Sequence, residues 1–287
     1  MENISSAPAR RRRTGFWGQF FLHMTLVILL IFVLFPLLLL IMKSFKTNTQ
    51  EQMAPFAFPN PITFENYSYA WLIIKNYFLN SLILTVSITA LIVILAAATA
   101  FAFVRYNFPA KEVLFMVMLS LMMIPGMLTI ISQYALVNTL NIVDNYWGVI
   151  LPSVAGSIPF SVFLLRTFFR GLSREFFEAA EIDGANNLHI FFVIVIPLSR
   201  AIIATLVITT FISQWNDYLW PLLVLQKEQL KTIPIGLVAW SESYNKLTGG
   251  WGPPFAGYVI SSLPLIVIFS LASKQFIQGL TSGAFKM

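Results

Sequence analysis

Long runs of apolar residues, separated by short polar segments rich in charge and proline, dominate the chain. Each run is close to the roughly 20 residues that an α-helix needs to cross a bilayer. The pattern predicts six spans, at about 16–42, 80–104, 113–136, 147–170, 191–213 and 255–273. We therefore expect an all-α integral membrane protein, with a polar tail at 1–14 and a single transmembrane domain at 15–287.

The composition agrees with this prediction and excludes several kinds of site. Of 287 residues, 57% are hydrophobic and 10% are charged, and the mean hydropathy of +0.78 lies outside the usual range of soluble domains. The chain has no cysteine, so a disulfide, a thiolate nucleophile and a cysteine-based metal site are excluded. The net charge of +6 does not indicate nucleic-acid binding, because the basic residues cluster at the span ends.

The distribution of basic residues orients the spans. Eleven of them, including Arg10–Arg13, Arg105 and Arg170, fall on the same side as both termini, whereas six fall on the other side. Because Lys and Arg are enriched in cytoplasmic loops, we expect both termini in the cytoplasm.

Two positions interrupt the apolar runs. Pro125 removes a backbone donor and Gly126 loosens the turn, so Met123 and Pro125 mark either a packing kink or part of a substrate pathway. Arg200 falls inside the fifth predicted span, where it either extends to the cytoplasmic interface or pairs within a cavity.

The fifth span ends in an aromatic and polar stretch, Trp215-Asn-Asp-Tyr-Leu-Trp-Pro221. Aromatic rings stack on the apolar faces of sugars, and Asn216 and Asp217 carry groups that bond hydroxyls. The alternative for Trp215 and Tyr218 is an aromatic belt at the membrane interface, or a gate, and the pattern favours this alternative.

Catalytic and metal chemistry have little support in the sequence. His23 and His189 belong to different segments and have no partner at ligand spacing. The chain lacks His-Glu-x-x-His, Gly-x-Ser-x-Gly and Walker A patterns. We therefore predict no catalytic residue and no metal site, and a nucleotide used to drive this protein would have to bind another chain.

One polar segment, 175–190, lies between the fourth and fifth spans and contains four of the twelve acidic residues. Charge at this density excludes it from lipid, and the basic residues place it in the cytoplasm. In a helix, Glu178-Ala-Ala180 puts two small side chains beside a carboxylate, which allows another protein to approach closely, and Gly184 suits a turn. Alternatively, the segment is a solvated loop whose acids balance Arg170 and Arg174.

The run Glu178-Ala-Ala-x-x-x-Gly184-x9-Ile194-x-Ile196-Pro197 resembles the EAA loop of binding-protein-dependent ABC importer permeases, with Ile196 where that pattern has Leu. The chain is also similar to the shorter, six-span subunit of maltose-permease-like carbohydrate importers. That similarity rests on Phe64-Glu-Asn-Tyr67, Met123-Ile-Pro125, Glu181-Ile-Asp-Gly-Ala185, Trp215–Pro221 and Gly279-Leu-Thr-Ser-Gly283.

The resemblance implies a sugar-import permease in a bacterial-type cytoplasmic membrane that works by alternating access. It implies that 175–190 forms coupling helices, with Glu178, Ala179, Ala180, Asp183 and Gly184 at the contact with an ATPase. The implied partners are a second homologous permease, two ATPase subunits that bind ATP and Mg, and an extracellular or periplasmic sugar-binding protein. This chain itself would hold no cofactor. The alternative function is a membrane enzyme or scaffold that uses the acidic loop only for docking.

Overall fold

The computed structural model describes residues 16–284, with side chains described for 17–271 and 273. Within these residues the chain forms helices and no strand. The helices are α1 (Phe16–Ser44), α2 (Asn48–Met53), α3 (Glu65–Arg105), α4 (Lys111–Leu121), α5 (Gly126–Thr139), α6 (Tyr146–Arg170), α7 (Arg174–Ile182), α8 (Asn187–His189), α9 (Ile196–Leu198), α10 (Arg200–Trp215), α11 (Leu219–Val224), α12 (Ile233–Thr248) and α13 (Gly252–Ala284), with a π-helix at Ile190–Val195 and a 3₁₀ turn at Glu228–Leu230.

Four of the described helices, α1, α3, α6 and α13, are long and apolar enough to cross a membrane. Two further segments qualify only as bent pairs. The helices α4 and α5 meet at 97°, and the segment from α8 to α9 meets α10 at 76°. If each bent pair is one span, the described chain has six, as the sequence predicts. Helices suit this environment because they satisfy their backbone hydrogen bonds internally.

Helix α3 is longer than the predicted second span. It begins at Glu65 rather than near Asn80 and contains 41 residues, so at 1.5 Å per residue it is about 61 Å long. The hydrocarbon core is only about 30 Å thick. The polar residues at its start, such as Lys75 and Asn76, end the apolar run without ending the helix.

The core forms around α3. This helix packs along α6 and also contacts α10 and α13. Ala96, Ala97 and Ala100 of α3 are buried against Val162 and Leu165 of α6. Small side chains allow two membrane helices to approach closely, which explains how α3 and α6 stay in contact over much of their length.

Asn80 joins α3 to the 3₁₀ turn at Glu228–Leu230 and to the residue that follows it. Its Nδ2 donates to the carbonyl oxygens of Gln229 at 2.8 Å and Lys231 at 2.9 Å. The hydroxyl of Tyr146 donates to Asn80 Oδ1 at 2.7 Å. A single buried amide thus joins α3, α6 and the segment that leads into α12.

Candidate functional site

The acidic segment folds into a short helix with defined ends. Ser173 Oγ caps the start of α7 by accepting from the amide of Glu175 at 3.3 Å. At the other end, the amide of Ala185 donates to the carbonyl of Ala180 at 2.9 Å, and that of Gly184 to Glu181 at 3.0 Å. This Schellman pattern needs a left-handed residue, and Gly184 supplies it at φ +77°.

The predicted coupling residues lie together but face different surroundings. Ala180 is buried in the same core cluster as Phe101 of α3, whereas Glu178, Ala179 and Asp183 are exposed. Ile182, at the end of α7, is 87% exposed. The helix is therefore anchored by Ala180 and presents two acids, a small residue and an isoleucine to its surroundings.

Arg105, the last residue of α3, fixes the acidic segment in place. Its guanidinium forms an ion pair with Glu181 of α7 and donates through Nε to Asn187 Oδ1 of α8 at 2.8 Å. The sequence analysis used Arg105 only to orient the spans. An arginine at the end of a span before a polar loop is the signal that could have identified this contact.

Arg166 of α6 is a second functional candidate that the sequence analysis missed. Its side chain is 6% exposed and pairs with Glu112 of α4 at 2.6 Å. The guanidinium lies 3.7 Å from the ring centroid of Phe115. Glu112 is the only acidic residue between Glu65 and Asp144 in the sequence. An ionisable residue inside a span is expected to pair with an opposite charge. Because acidic residues are so scarce in this region, Glu112 could have been identified from the sequence as a candidate partner of Arg166.

A polar cleft of about 490 Å³ lies between α7 and the ends of α3, α4 and α6. Its lining brings together the ion-paired and exposed charges of these elements. The charged residues of the lining are Arg105, Lys111, Glu112, Arg166, Arg170, Arg174, Glu178 and Glu181.

The two regions predicted for the substrate pathway lie in different parts of the fold. Met123 is 83% exposed between α4 and α5, and Pro125 is the residue that precedes α5. Trp215, by contrast, is 2% exposed. Its indole Nε1 donates to the carbonyl of Ser261 at 3.1 Å, and its ring stacks on Phe211 at 5.9 Å. In this conformation Trp215 joins α10 to α13 and offers no open face to a ligand.

The residues that follow Trp215 are more accessible. Asn216 and Tyr218 are exposed and Asp217 is partly buried. Burial raises the pKa of the Asp217 carboxyl, and the backbone amides of Trp220 and Leu219, which donate to it, partly oppose that rise. Arg200 is exposed at the start of α10, just after the 76° bend. In the described part of the chain, no group of three His, Asp or Glu is placed to hold a metal ion.

Comparisons with known proteins cover nearly the whole chain. Residues 92–282 match the family described as binding-protein-dependent transport system inner membrane component. The chain is 32% identical to the probable ABC transporter permease YurM of Bacillus subtilis, over 96% of this chain and 91% of that protein. It is 30% identical to the diacetylchitobiose uptake system permease NgcG of Streptomyces coelicolor, over 92% of this chain and 88% of that protein.

A solved structure shares the fold. It is that of a bacterial ABC transporter involved in the import of the acidic polysaccharide alginate, with a TM-score of 0.80. The match covers 95% of this chain and 100% of the other at 22% identity, so the similarity concerns the fold alone.

Proposed function

The chain belongs to the family of binding-protein-dependent transport system inner membrane components, and on this premise we propose that it carries a sugar or an oligosaccharide into the cell. Family membership confirms the resemblance of the chain to binding-protein-dependent ABC importer permeases. The protein is a multi-pass permease subunit of an ABC importer in the inner membrane. The alternative of a membrane enzyme or scaffold is not supported by the family.

The proposal of a sugar substrate rests on one observation above all. The relative named for diacetylchitobiose uptake aligns with 92% of this chain at 30% identity. Diacetylchitobiose is a disaccharide, so this match supports a sugar or a short oligosaccharide as the substrate class. Met123, Pro125 and Trp215–Tyr218 remain predictions for the substrate path or its gate.

The segment 175–190 is our proposed contact with the ATPase. Glu178, Ala179 and Asp183 are exposed there, and a Cβ added at Gly184 would meet no atom of the described residues within 4 Å, apart from its own chain neighbours. The small residues leave room for a partner surface, and the carboxylates supply charge for an Arg or Lys on that surface. Two ATPase subunits would bind ATP and Mg, since this chain has no nucleotide motif.

The packing of α7 supports transmission of movement from the ATPase to the spans. Ala180 embeds α7 in the core, and the Arg105–Glu181 pair joins it to α3. In the proposed alternating-access cycle, closure of the ATPases moves 175–190 as a rigid unit together with α3 and α6. A second permease would form the other half of the pathway, and an extracellular or periplasmic binding protein would deliver the sugar.

Two substitutions in the loop test the coupling role. We expect Glu178→Lys and Gly184→Asp to leave the protein inserted in the membrane but to lower sugar uptake and weaken retention of the ATPase on purification. Glu178→Lys reverses a charge on the exposed face. Gly184→Asp adds a charged side chain to the loop and strains its left-handed turn at φ +77°. Uptake of labelled chitooligosaccharides and co-purification of the ATPase measure the two effects.

The matched control is Glu242→Lys, the same charge reversal at an exposed residue of α12. It should retain the ATPase as the parent protein does. Normal uptake and normal ATPase retention in both loop variants would exclude the coupling assignment. If the parent complex is intact but takes up no chitooligosaccharide, only the proposed substrate class is excluded, and the coupling role is not.

A further inference from the structure

Arg166 separates two cavities near the loop that precedes α7. On one side is the polar cleft of about 490 Å³ described above. On the other side is a groove of about 410 Å³ between α4 and α6, lined by Phe115, Phe163, Arg166, Thr167, Arg170 and Gly171. Arg166 and Arg170 line both cavities. A polar compartment therefore adjoins an apolar one across two guanidinium groups.

The polar compartment has more positive charge than its acids balance. Arg105 pairs with Glu181 and Arg166 pairs with Glu112. Arg170, in contrast, is exposed and forms no hydrogen bond or ion pair within 4 Å with any described residue, although it lies close enough to Glu112 to interact with it electrostatically. The same lining also contains Lys111 and Arg174, so five basic residues face three acids.

The buried guanidinium also has an unused donor. Arg166 is 5% exposed as a residue, and its Nε–H is buried without an acceptor among the described residues. Buried donors in native structures normally have a partner, so an orphan beside two cavities indicates a missing acceptor. An oxygen-rich anion supplies several acceptors and also balances the charge of Arg170.

The position of the cavities identifies the kind of anion. Helix α3 ends at Arg105, α4 begins at Lys111 and α6 ends at Arg170, so three apolar segments leave the membrane around the cleft. Phe163, which is 39% exposed, lines the groove on the membrane side of Arg166. A ligand with a phosphate and an acyl chain would satisfy both compartments, because basic residues at this level attract anionic lipids.

We propose that the cleft and groove around Arg166 and Arg170 form a specific site for an anionic phospholipid of the adjoining leaflet. The phosphate lies in the cleft near Arg170 and the Arg166 Nε–H, and one acyl chain lies along Phe115 and Phe163. The lipid fills the space between α4, α6 and the start of the coupling loop. This site is additional to transport, and its occupancy can be measured without any sugar.

The first test counts bound lipids. The full-length chain, purified with its partners, is stripped of lipid and given equal amounts of phosphatidylglycerol and phosphatidylcholine, and native mass spectrometry counts the retained lipids. We expect the parent complex to retain phosphatidylglycerol preferentially. Arg170→Gln should lower that retention about fivefold, as removal of one basic residue near an anionic surface does, with phosphatidylcholine unchanged.

The control is Arg200→Gln, which removes the same charge from an exposed residue outside both cavities. It should retain phosphatidylglycerol as the parent does. Equal losses in both variants would show general attraction to charge and overturn the site. Retention that is unchanged by Arg170→Gln would overturn it as well.

A second test locates the lipid. The chain has no native cysteine, so a fluorophore attached at Thr167→Cys is the only label on this chain and reports from the groove. Brominated phosphatidylglycerol should quench it more than brominated phosphatidylcholine does. Glycerol phosphate, which has no acyl chain, should not relieve the quenching at millimolar concentration. If it does, the site binds free anions. If neither lipid quenches, another protein chain covers the groove. Either result would contradict the proposal.

Discussion

Gly148 and Gly156 lie on the same helix, α6, but in different surroundings. A methyl group at 148 would come within 2.2 Å of the carbonyl oxygen of Ile142, whereas at 156 it would meet nothing within 4 Å. The oxygen belongs to the backbone, so it cannot move aside as a side chain can. We expect Gly148→Ala to destabilise the protein by roughly 1–3 kcal/mol, the usual cost of overpacking.

Gly156→Ala is the matched control for this prediction. Alanine favours a helix over glycine by about 1 kcal/mol, so this variant should be as stable as the parent or slightly more stable. Heating the purified complexes and measuring the fraction that stays monodisperse compares the three proteins. If Gly156→Ala lowers the monodisperse fraction as much as Gly148→Ala does, the space around a glycine in this chain does not predict whether alanine is tolerated there.

Single residues differed in how far the sequence alone could assign them. The turn at Gly184 was predictable because its cause is local, a left-handed residue that closes a short helix. The burial of Trp215 was not, because an aromatic residue at a span end suits an interfacial belt as well as a contact between α10 and α13. Only the fold supplies the carbonyl of Ser261 that its indole meets.

Among the structural elements, the 3₁₀ turn at Glu228–Leu230 and the residue after it are joined to α3 through the side chain of Asn80. Asn80→Ala would leave the carbonyls of Gln229 and Lys231 without their amide donor. Gln229 is exposed and Lys231 is half-buried, so each lost hydrogen bond costs about 0.5–1.5 kcal/mol. We therefore expect the amides of Leu230 and Lys231 to exchange with deuterium on the order of tenfold faster, while α3 itself stays protected.

Asn76→Ala provides the comparison for this element. Asn76 lies one turn earlier on α3, is exposed, and lines the same surface as residues 227–229 without a side-chain hydrogen bond to a described residue. It should leave exchange in 225–232 as in the parent protein. Equal protection in Asn80→Ala and Asn76→Ala would show that other contacts hold the segment.

The elements themselves were predictable where their apolar runs were unbroken. The ends of α1 and α6 lie within two residues of the predicted spans. The bends were only partly predictable. Pro125 signalled the break before α5. Pro197 signalled a helix start near the second break, but the 76° bend lies at Ser199, after a π-helical turn. The early start of α3 was missed because hydropathy identifies apolar residues that can lie in lipid. It gives no signal for the more polar part of the same helix outside the lipid.

At the scale of the whole molecule, hydropathy was enough for the fold class but not for the arrangement of helices. Every span needs an apolar surface whether it faces lipid or protein, so the pattern does not distinguish α1 from α3. In the structure α1 is almost entirely exposed and contacts α13, whereas α3 lies at the centre of the described chain. Side-chain size, as in Ala96–Ala100, carries part of the missing information.

The orientation of the molecule can be tested directly because the chain has no native cysteine. Leu247, near the end of α12, is 84% exposed, and Ile182 on the coupling loop is 87% exposed. With Arg105, Arg166, Arg170 and Arg174 around α7, the positive-inside rule predicts a cytoplasmic position for this loop. A membrane-impermeant maleimide should therefore label Leu247→Cys in intact cells, and Ile182→Cys only after permeabilisation.

Ser5→Cys extends the test to the N-terminal tail, which lies outside the described residues. Four spans are predicted before α7, so the N-terminal tail and the coupling loop should lie on the same side of the membrane. Ser5→Cys should therefore be labelled only after permeabilisation, like Ile182→Cys. If all three positions gave the opposite pattern, the orientation would be reversed and the ATPase could not bind at 175–190. If Ser5→Cys were labelled in intact cells while Ile182→Cys stayed protected, the number of spans before α7 would be odd. The bent pair that precedes α7, formed by α4 and α5 at 97°, would then be a re-entrant loop that enters and leaves the membrane on one side.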